Sequence, residues 1–475
     1  MPPEEPIVTE RHVDVAIIGA GSAGLYALGQ VRRSGRSFVL IDGGELGTTC
    51  ARVGCMPSKA LLQVAEDFHR RRVLARYGAT GEADSAISLP RALEHVQHLR
   101  DTFVDRVISN STDKLGDAFI AGNARFVAPK VLDVDGQRIH ARAVVIATGS
   151  KPIVPAAWAP FRDRVLTTDE LFEQENLPAS LAVIGLGAIG LELGQALARL
   201  GVAVTGIDLA QTIGGITDPE VARVAIEVFG KELPLWLGAA AQITPEADGR
   251  LRVRAGEREV VVDKVLASLG RAPRLASLGL EAIGVPTDAQ GMPRFDRHTL
   301  QVEGHPIFLA GDVTGERPLL HEAGDEGRIA GYNATADAVL AFRRKVPLAI
   351  TFCDPNISAV GARHAELDPD STAIGQIAFG PVGRAMIMGK NAGLLRVYAD
   401  RTTGCLLGAE MVAPKGEHLA HLLNWCITQG LTVGRLLRMP FYHPVIEEAL
   451  QAALYDLYTK VDAKNDGPIT ELEAL

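Results

Sequence analysis

Residues 46–59 read LGTTCARVGCMPSK, and the meaning of this stretch decides what the chain folds into. It holds Cys50 and Cys55, two of five cysteines, with four residues between them. It follows an apolar run closed by Ile41-Asp42 and leads into a helical pattern that opens after Pro57-Ser58. In a regular helix, residues i and i+5 stand about 8–9 Å apart, given a rise of about 1.5 Å per residue on a radius of about 2.3 Å. A disulfide needs Cα atoms about 4.4–6.8 Å apart. Pairing of the two cysteines therefore requires an interruption of the helix, and Gly54 and Pro57 are suited to make one. Two reduced, buried cysteines fit the same spacing, so the reading turns on what flanks them.

Upstream, residues 13–19 (VDVAIIG) form an apolar, β-branched run, which predicts a buried strand. Gly19, Gly21 and Gly24 then make a GxGxxG, a helical pattern runs to about Arg33, and a second strand (37–41) is closed by Asp42. Gly19 permits the tight turn, Gly21 lets a pyrophosphate approach backbone N–H groups, and Gly24 allows close helix–strand packing. Asp42 is placed to accept from ribose hydroxyls. Downstream the pattern repeats. A strand at 181–184 runs into Gly185, Gly187 and Gly190, a helix to about Leu200, a strand at 203–207 and then Asp208. Two matched units imply two dinucleotides, and a redox relay between them is the economical explanation. A carboxylate at Asp208 suits a free ribose 2′-hydroxyl and repels a 2′-phosphate. The following Leu209-Ala210-Gln211-Thr212 offers no arginine to hold such a phosphate, so NAD is expected rather than NADP.

A length of 475 residues predicts roughly three domains at about 150 residues each. The net charge of −9 argues against a nucleic-acid partner, and the short basic runs at 70–72 and 343–345 read as solvated surface. The N-terminal stretch MPPEEPIVTERH lacks the apolar core of a signal peptide. No apolar run reaches the roughly 18 residues that span a membrane. Five cysteines do not make a secreted disulfide framework. A cytoplasmic protein is expected, where a disulfide is more often catalytic than structural.

Between the two units, helices are expected at 58–77 and 89–115, a small β meander with a hairpin at 119–139, and another buried strand at 143–147. The last ends in Ala147-Thr148-Gly149. After the second unit, a strand at 261–269 runs into Gly270-Arg271-Ala272-Pro273, and a strand at 306–310 runs into Gly311-Asp312. From about Pro347 the alternating runs 373–379 and 393–397 predict an antiparallel sheet, followed by helices at 417–429 and 433–437. In the closing motif, His443-Pro444-Val445-Ile446-Glu447-Glu448, Pro444 suits the first position of a helix, with His443 at its mouth.

Residues 47–59 resemble the active-site segment of the class I pyridine nucleotide-disulfide oxidoreductases, with Thr48 where the family usually has Gly. The resemblance runs from about residue 12 to 455, in the family's order: two dinucleotide units, CxxxxC, ATG, Gly-Asp and HPxxxE. It implies an α/β fold of two Rossmann-like dinucleotide-binding domains, the NAD domain inserted in a discontinuous FAD domain, plus a C-terminal α+β dimerisation domain. The expected limits are 1–150 for the FAD domain, 151–272 for the NAD domain, 273–346 for the returning FAD segment and 347–475 for the interface. It implies FAD and NAD as cofactors and a homodimer. Thr49, Thr148, Gly149, Gly311 and Asp312 would stand near the flavin, and Gly270 would close the NAD domain.

The resemblance also implies the roles. Cys50 would exchange with substrate and Cys55 would lie against the flavin; Lys59 and Glu192 would pair beside it; His443 and Glu448 would act across the dimer on the other subunit's disulfide. A thiolate, not a thiol, attacks a disulfide. An imidazole is a suitable base near neutral pH, and a carboxylate orients it. The expected substrate is dihydrolipoamide, free or protein-bound, with NAD reduced and with a multienzyme dehydrogenase complex as a possible partner. Glutathione reductase is disfavoured by Asp208. Mercuric and large thioredoxin reductases carry a C-terminal cysteine pair, whereas this sequence ends ITELEAL; soluble transhydrogenases lack the intact pair. A structural subunit of such a complex and a diaphorase or quinone reductase are the remaining alternatives. Thr351-Phe352-Cys353-Asp354-Pro355-Asn356 stands where dehydrogenases usually have Thr-Asp-Pro-Glu.

Overall fold

The computed structural model describes residues 10–81, 86–465 and 469–473. The N-terminal stretch before Glu10 and the last two residues, both read above, lie outside the described residues. Among the described residues, five sheets organise the fold. In the first, Glu10–Ile18 lies between Phe38–Asp42 and Gln137–Ile146, all parallel. Phe119–Ala121 extends it beyond Phe38–Asp42. An antiparallel meander, Ala124–Ala128, Val131–Val134 and Gln137–Ile146, forms the other side. The last of these is one continuous strand where a hairpin strand and a separate buried strand were expected. Its first half pairs with Val131–Val134, and its second half, Val144 to Ile146, pairs in parallel with Ile307–Leu309.

The second sheet is parallel throughout, in the order Leu235–Leu237, Ala203–Asp208, Ser180–Ile184, Lys264–Ala267, Val165–Leu166. The strand expected at 261–269 is two, Arg258–Val262 and Lys264–Ala267, and the former belongs to a separate three-stranded antiparallel sheet. The fifth sheet is antiparallel: Leu348–Thr351, Asn356–Gly361, Leu406–Ala413, Leu394–Asp400, Thr372–Ala378. Helices Gly416–Thr428 and Glu448–Lys460 pack on it through Leu419, Leu423, Leu450, Leu454 and Leu457, all nearly or fully buried.

Helix Ser22–Ser34 packs on helix Leu320–Thr335 with backbones nearly touching. A Cβ on Gly327 would stand 2.2 Å from the Ala23 carbonyl oxygen, and one on Gly331 2.5 Å from that of Ala27. The parallel second sheet is tied to the antiparallel fifth by polar contacts. Asp218, fully buried, caps helix Pro219–Phe229 and accepts from Arg396 at 2.7 and 2.8 Å and from Tyr398 at 2.8 Å. Among the described residues, no helix is long and apolar enough to cross a membrane.

Candidate active site

The two glycine turns have the same construction. At the first, a Cβ on Gly19 would stand 2.3 Å from the Ala147 carbonyl oxygen, and one on Gly24 1.9 Å from that of Gly19. At the second, Gly185 meets the carbonyl of Ser268 at 2.3 Å and Gly190 that of Gly185 at 1.8 Å. In each, the middle glycine, Gly21 or Gly187, has nothing within 4 Å of an added Cβ. Each turn is therefore closed behind and open in front of a helix N-terminus, which suits a pyrophosphate. Asp42 accepts from the N–H of Ala20 at 2.6 Å and of Gly44 at 2.7 Å. Asp208 accepts from Leu186 at 2.5 Å and Ala210 at 2.8 Å. Each carboxylate thus braces its own turn, with lone pairs remaining for a ribose.

The segment 46–59 contains two helices and a break. Cys50 lies in the short helix Thr49–Arg52, and Cys55 opens the helix Cys55–His69. That helix begins before Pro57, not after Ser58, because Gly54 (φ −117, ψ −117) makes the break alone and Pro57 sits harmlessly in the first turn. The helix also ends at His69, earlier than the expected 77, and its neighbour Leu89–Asn110 stops short of 115. Thr48 has φ +67 and ψ 146, a region that belongs to glycine, and its Oγ1 accepts from the N–H of Ala51 at 3.2 Å.

Both thiols are free, Cys50 half-buried and Cys55 exposed. Cys55 is exposed towards a cavity of about 250 Å³ that Gly21, Thr49, Cys50, Lys59, Gly149, Glu192, Gly311 and Asp312 also line. Ala188 and Ile189 of the second glycine turn reach the same cavity. The two turns, the cysteines and the Lys–Glu pair thus share one space, with a largely apolar wall and open room in front of Gly21. These residues fit a flavin ring beside the thiols with its diphosphate on the first turn.

The hydrogen bond from the Cys50 thiol lowers Cys55 to about 7; burial opposes this and Lys59 adds to it. The same bond, with burial, raises Cys50 well above the ordinary thiol range. Lys59 Nζ donates to Glu192 Oε2 at 2.8 Å and stands 4.6 Å from the ring centroid of Phe352. Glu192, 5 % exposed, accepts the N–H of Phe352 at 2.7 Å on its other oxygen. In the sequence Phe352 is visible only as part of the 351–356 departure; its pairing with Lys59 carries no sequence signal because 293 positions separate them. Asp312 accepts from Ser150 Oγ at 2.8 Å, and Arg271 Nε donates to the same hydroxyl at 2.8 Å. Thr148 Oγ1 donates to the Arg274 carbonyl at 2.6 Å, and Gly270 holds φ +93 beside Ile153.

His443 and Glu448 stand outside this cavity's lining. His443 Nδ1 contacts Glu448 Oε1 at 2.8 Å, and the N–H of Val445 donates to Oε2 at 3.1 Å. The hydrogen bond from His443 holds Glu448 below the usual carboxylate range. Pro444 does not open a helix: its preceding peptide bond is cis, and the helix begins at Glu448. The His443 side chain is 80 % exposed, so within its own chain it serves no enclosed site.

Residues 13–327 match the family described as pyridine nucleotide-disulphide oxidoreductase, and residues 347–454 match that family's dimerisation domain. The chain belongs to the pyridine nucleotide-disulphide oxidoreductases. It is an oxidoreductase and a flavoprotein, and its family works with FAD, a pyridine nucleotide and a disulfide redox centre. The expected fold class is the family's, and the dimerisation domain supports a homodimer. Among curated relatives, a dihydrolipoyl dehydrogenase from Thermus scotoductus is 31 % identical over 458 residues, 94 % of this chain and 97 % of that one. A mercuric reductase from Streptomyces lividans is 30 % identical over 459 residues, 93 % of this chain and 95 % of that one. Of solved structures, LpdA from Mycobacterium tuberculosis is 26 % identical with a TM-score of 0.79, covering 94 % of this chain and 99 % of its own. The HOCl-induced flavoprotein disulfide reductase RclA from Escherichia coli shares the fold, at 23 % identity, a TM-score of 0.80 and coverage of 94 % and 99 %.

Proposed function

We propose that this protein oxidises dihydrolipoamide, free or carried on a protein, to lipoamide with reduction of NAD. The observation that carries the reading is the His443–Glu448 contact at 2.8 Å. Thiol–disulfide exchange needs a base, whereas direct flavin reduction of a dye or quinone does not. Glu448 accepts a hydrogen bond from Nδ1–H, which orients the ring and leaves Nε2 to accept a proton from a substrate thiol. The exposure of His443 suits action on the other subunit's cysteine pair. The substrate thiolate attacks Cys50, the Cys50–Cys55 bond breaks, and Cys55 leaves as a thiolate stabilised by the charge of Lys59. The second substrate thiol then attacks the mixed disulfide, which releases lipoamide and leaves both cysteines reduced. When bound, FAD supplies the acceptor for that electron pair, and NAD carries it away.

In this reading Gly19, Gly21, Gly24, Asp42, Thr49, Thr148, Gly149, Gly311 and Asp312 hold FAD. Gly185, Gly187, Gly190, Asp208 and Gly270 hold NAD, and Asp208 disfavours the 2′-phosphate of NADP. The domain limits 1–150, 151–272, 273–346 and 347–475 belong to the same proposal, as do a cytoplasmic location and docking to a multienzyme dehydrogenase complex. Anaerobic turnover of dihydrolipoamide with NAD, with NADP run beside it, is the test. Fast NAD reduction and little NADP reduction support the reading. Bound flavin without lipoamide activity would refute the substrate and redirect the search to another disulfide or a quinone.

A further inference from the structure

Far from the cavity, at the N-terminal end of the first sheet, three potential metal ligands converge. His12 and His140 are register partners on adjacent parallel strands, and Glu10 lies two residues before His12 on the same face. One ligand atom from each of the three falls within 4.8 Å of the other two. The imidazole rings lie almost parallel, with centroids 4.4 Å apart and planes 16° apart. His140 Nε2 is buried and has no hydrogen-bond partner among the described residues. A buried nitrogen without a partner calls for a physical account, and an ion is one. Its neighbour Glu10 Oε2 stands 3.7 Å away, too far for a hydrogen bond. Two ligand atoms on one tetrahedral zinc stand about 3.4 Å apart, given bonds of about 2.0–2.2 Å, so the Glu10–His140 pair at 3.7 Å is nearly closed, whereas His12, within 4.8 Å of both, closes as its stacked ring turns to bring its lone pair onto the ion.

We propose that Glu10, His12 and His140 form a binding site for a borderline divalent ion of the Zn²⁺ type. Two imidazoles and one carboxylate suit such an ion, with water in the fourth position. Mg²⁺ and Ca²⁺ are disfavoured because they take oxygen ligands. Arg138, the register partner of Glu10 and of Asp133, opposes a cation here, and the Glu10 carboxylate on the ion has to outweigh it. Seven residues of strand separate His12 from Gly19, a span of about 23 Å at roughly 3.3 Å per residue. The ion would therefore pin the two central strands together without touching the dinucleotide turn.

The test is isothermal titration of Zn²⁺ into the FAD-loaded protein with its cysteine pair oxidised, which removes those thiolates as competitors. Wild type is compared with His12→Gln and His140→Gln. Wild type should bind one more Zn²⁺ per chain, or bind it about tenfold or more tightly, than either variant. Zinc-free oxidation of NADH by an artificial dye should be equal in all three. If His140→Gln does not fold, His12→Gln, at an exposed position, carries the comparison alone. Superimposable isotherms for wild type and the folded variants would overturn the proposal.

Discussion

Lys59 and Glu192 form an ion pair 2.8 Å long that joins the helix of the cysteine motif to the helix of the second glycine turn. Both charges act on Cys55, in opposite directions: Lys59 lowers its pKa and Glu192 raises it. Lys59→Met should therefore move Cys55 upward from about 7 towards the ordinary thiol range, and Glu192→Gln should move it downward. The pH dependence of alkylation in the reduced protein reads both shifts. A shift of the same sign in the two variants would disprove the electrostatic account.

His443→Gln removes the base but leaves the cavity lining intact. Dihydrolipoamide oxidation should fall by about 10²–10⁴-fold, while oxidation of NADH by an artificial dye is spared. Cys50→Ser should abolish lipoamide turnover and keep bound FAD. Equal losses in both assays for His443→Gln would remove its proposed role.

Asp208 is the determinant at the second turn. Asp208→Asn keeps an acceptor for Leu186 or Ala210 but removes the charge that repels a 2′-phosphate. The ratio of kcat/KM for NAD to that for NADP should fall by about tenfold, the equivalent of roughly 1.4 kcal/mol. An unchanged ratio would place nucleotide choice elsewhere.

At Thr48, glycine and alanine both lack the capping hydroxyl, but only glycine accepts φ +67 with ψ 146 freely. Thr48→Gly should be about 1–3 kcal/mol more stable than Thr48→Ala in thermal unfolding of the FAD-loaded protein. Equal stability would mean that the backbone there relaxes.

Burial alone would raise the carboxyl of Asp218, but hydrogen bonds from Arg396 and Tyr398 outweigh it and hold the group below its ordinary value. A depressed carboxylate contributes stability above its unfolded pKa of about 3.9 and loses it as pH falls through the folded value. Wild type should thus lose more Tm below about pH 4 than Asp218→Asn. Arg396→Met leaves a buried charge unpaired and should cost about 3–5 kcal/mol at neutral pH.

The parts of this fold legible in the sequence are those with local causes. Gly24 and Asp42 answer to the Gly19 carbonyl and the Ala20 N–H, and Gly190 and Asp208 to the Gly185 carbonyl and the Leu186 N–H, each within its own βαβ unit, so both dinucleotide units are plain in the chain. The strand Gln137–Ile146 reads as two elements because its partners change midway: a hairpin strand flanks one half, and Ile307–Leu309 flanks the other. Pro444 carries a helix-start signal that tertiary structure overrides, and the helix waits for Glu448. The contacts of Glu192 with Lys59 and with Phe352 join positions 133 and 160 residues apart, beyond any local pattern.

Ile307–Leu309 completes the first sheet only after the whole second sheet has been made. During synthesis, Val144, Val145 and Ile146 emerge with an unpaired backbone edge and wait for about 160 further residues, roughly 10–30 s at common elongation rates. An apolar open edge is a template for pairing with other chains. The nascent protein is therefore most exposed to aggregation while its second dinucleotide unit is being translated. A chain terminated within that interval should accumulate with chaperones or in the insoluble fraction, although its first glycine turn is already complete.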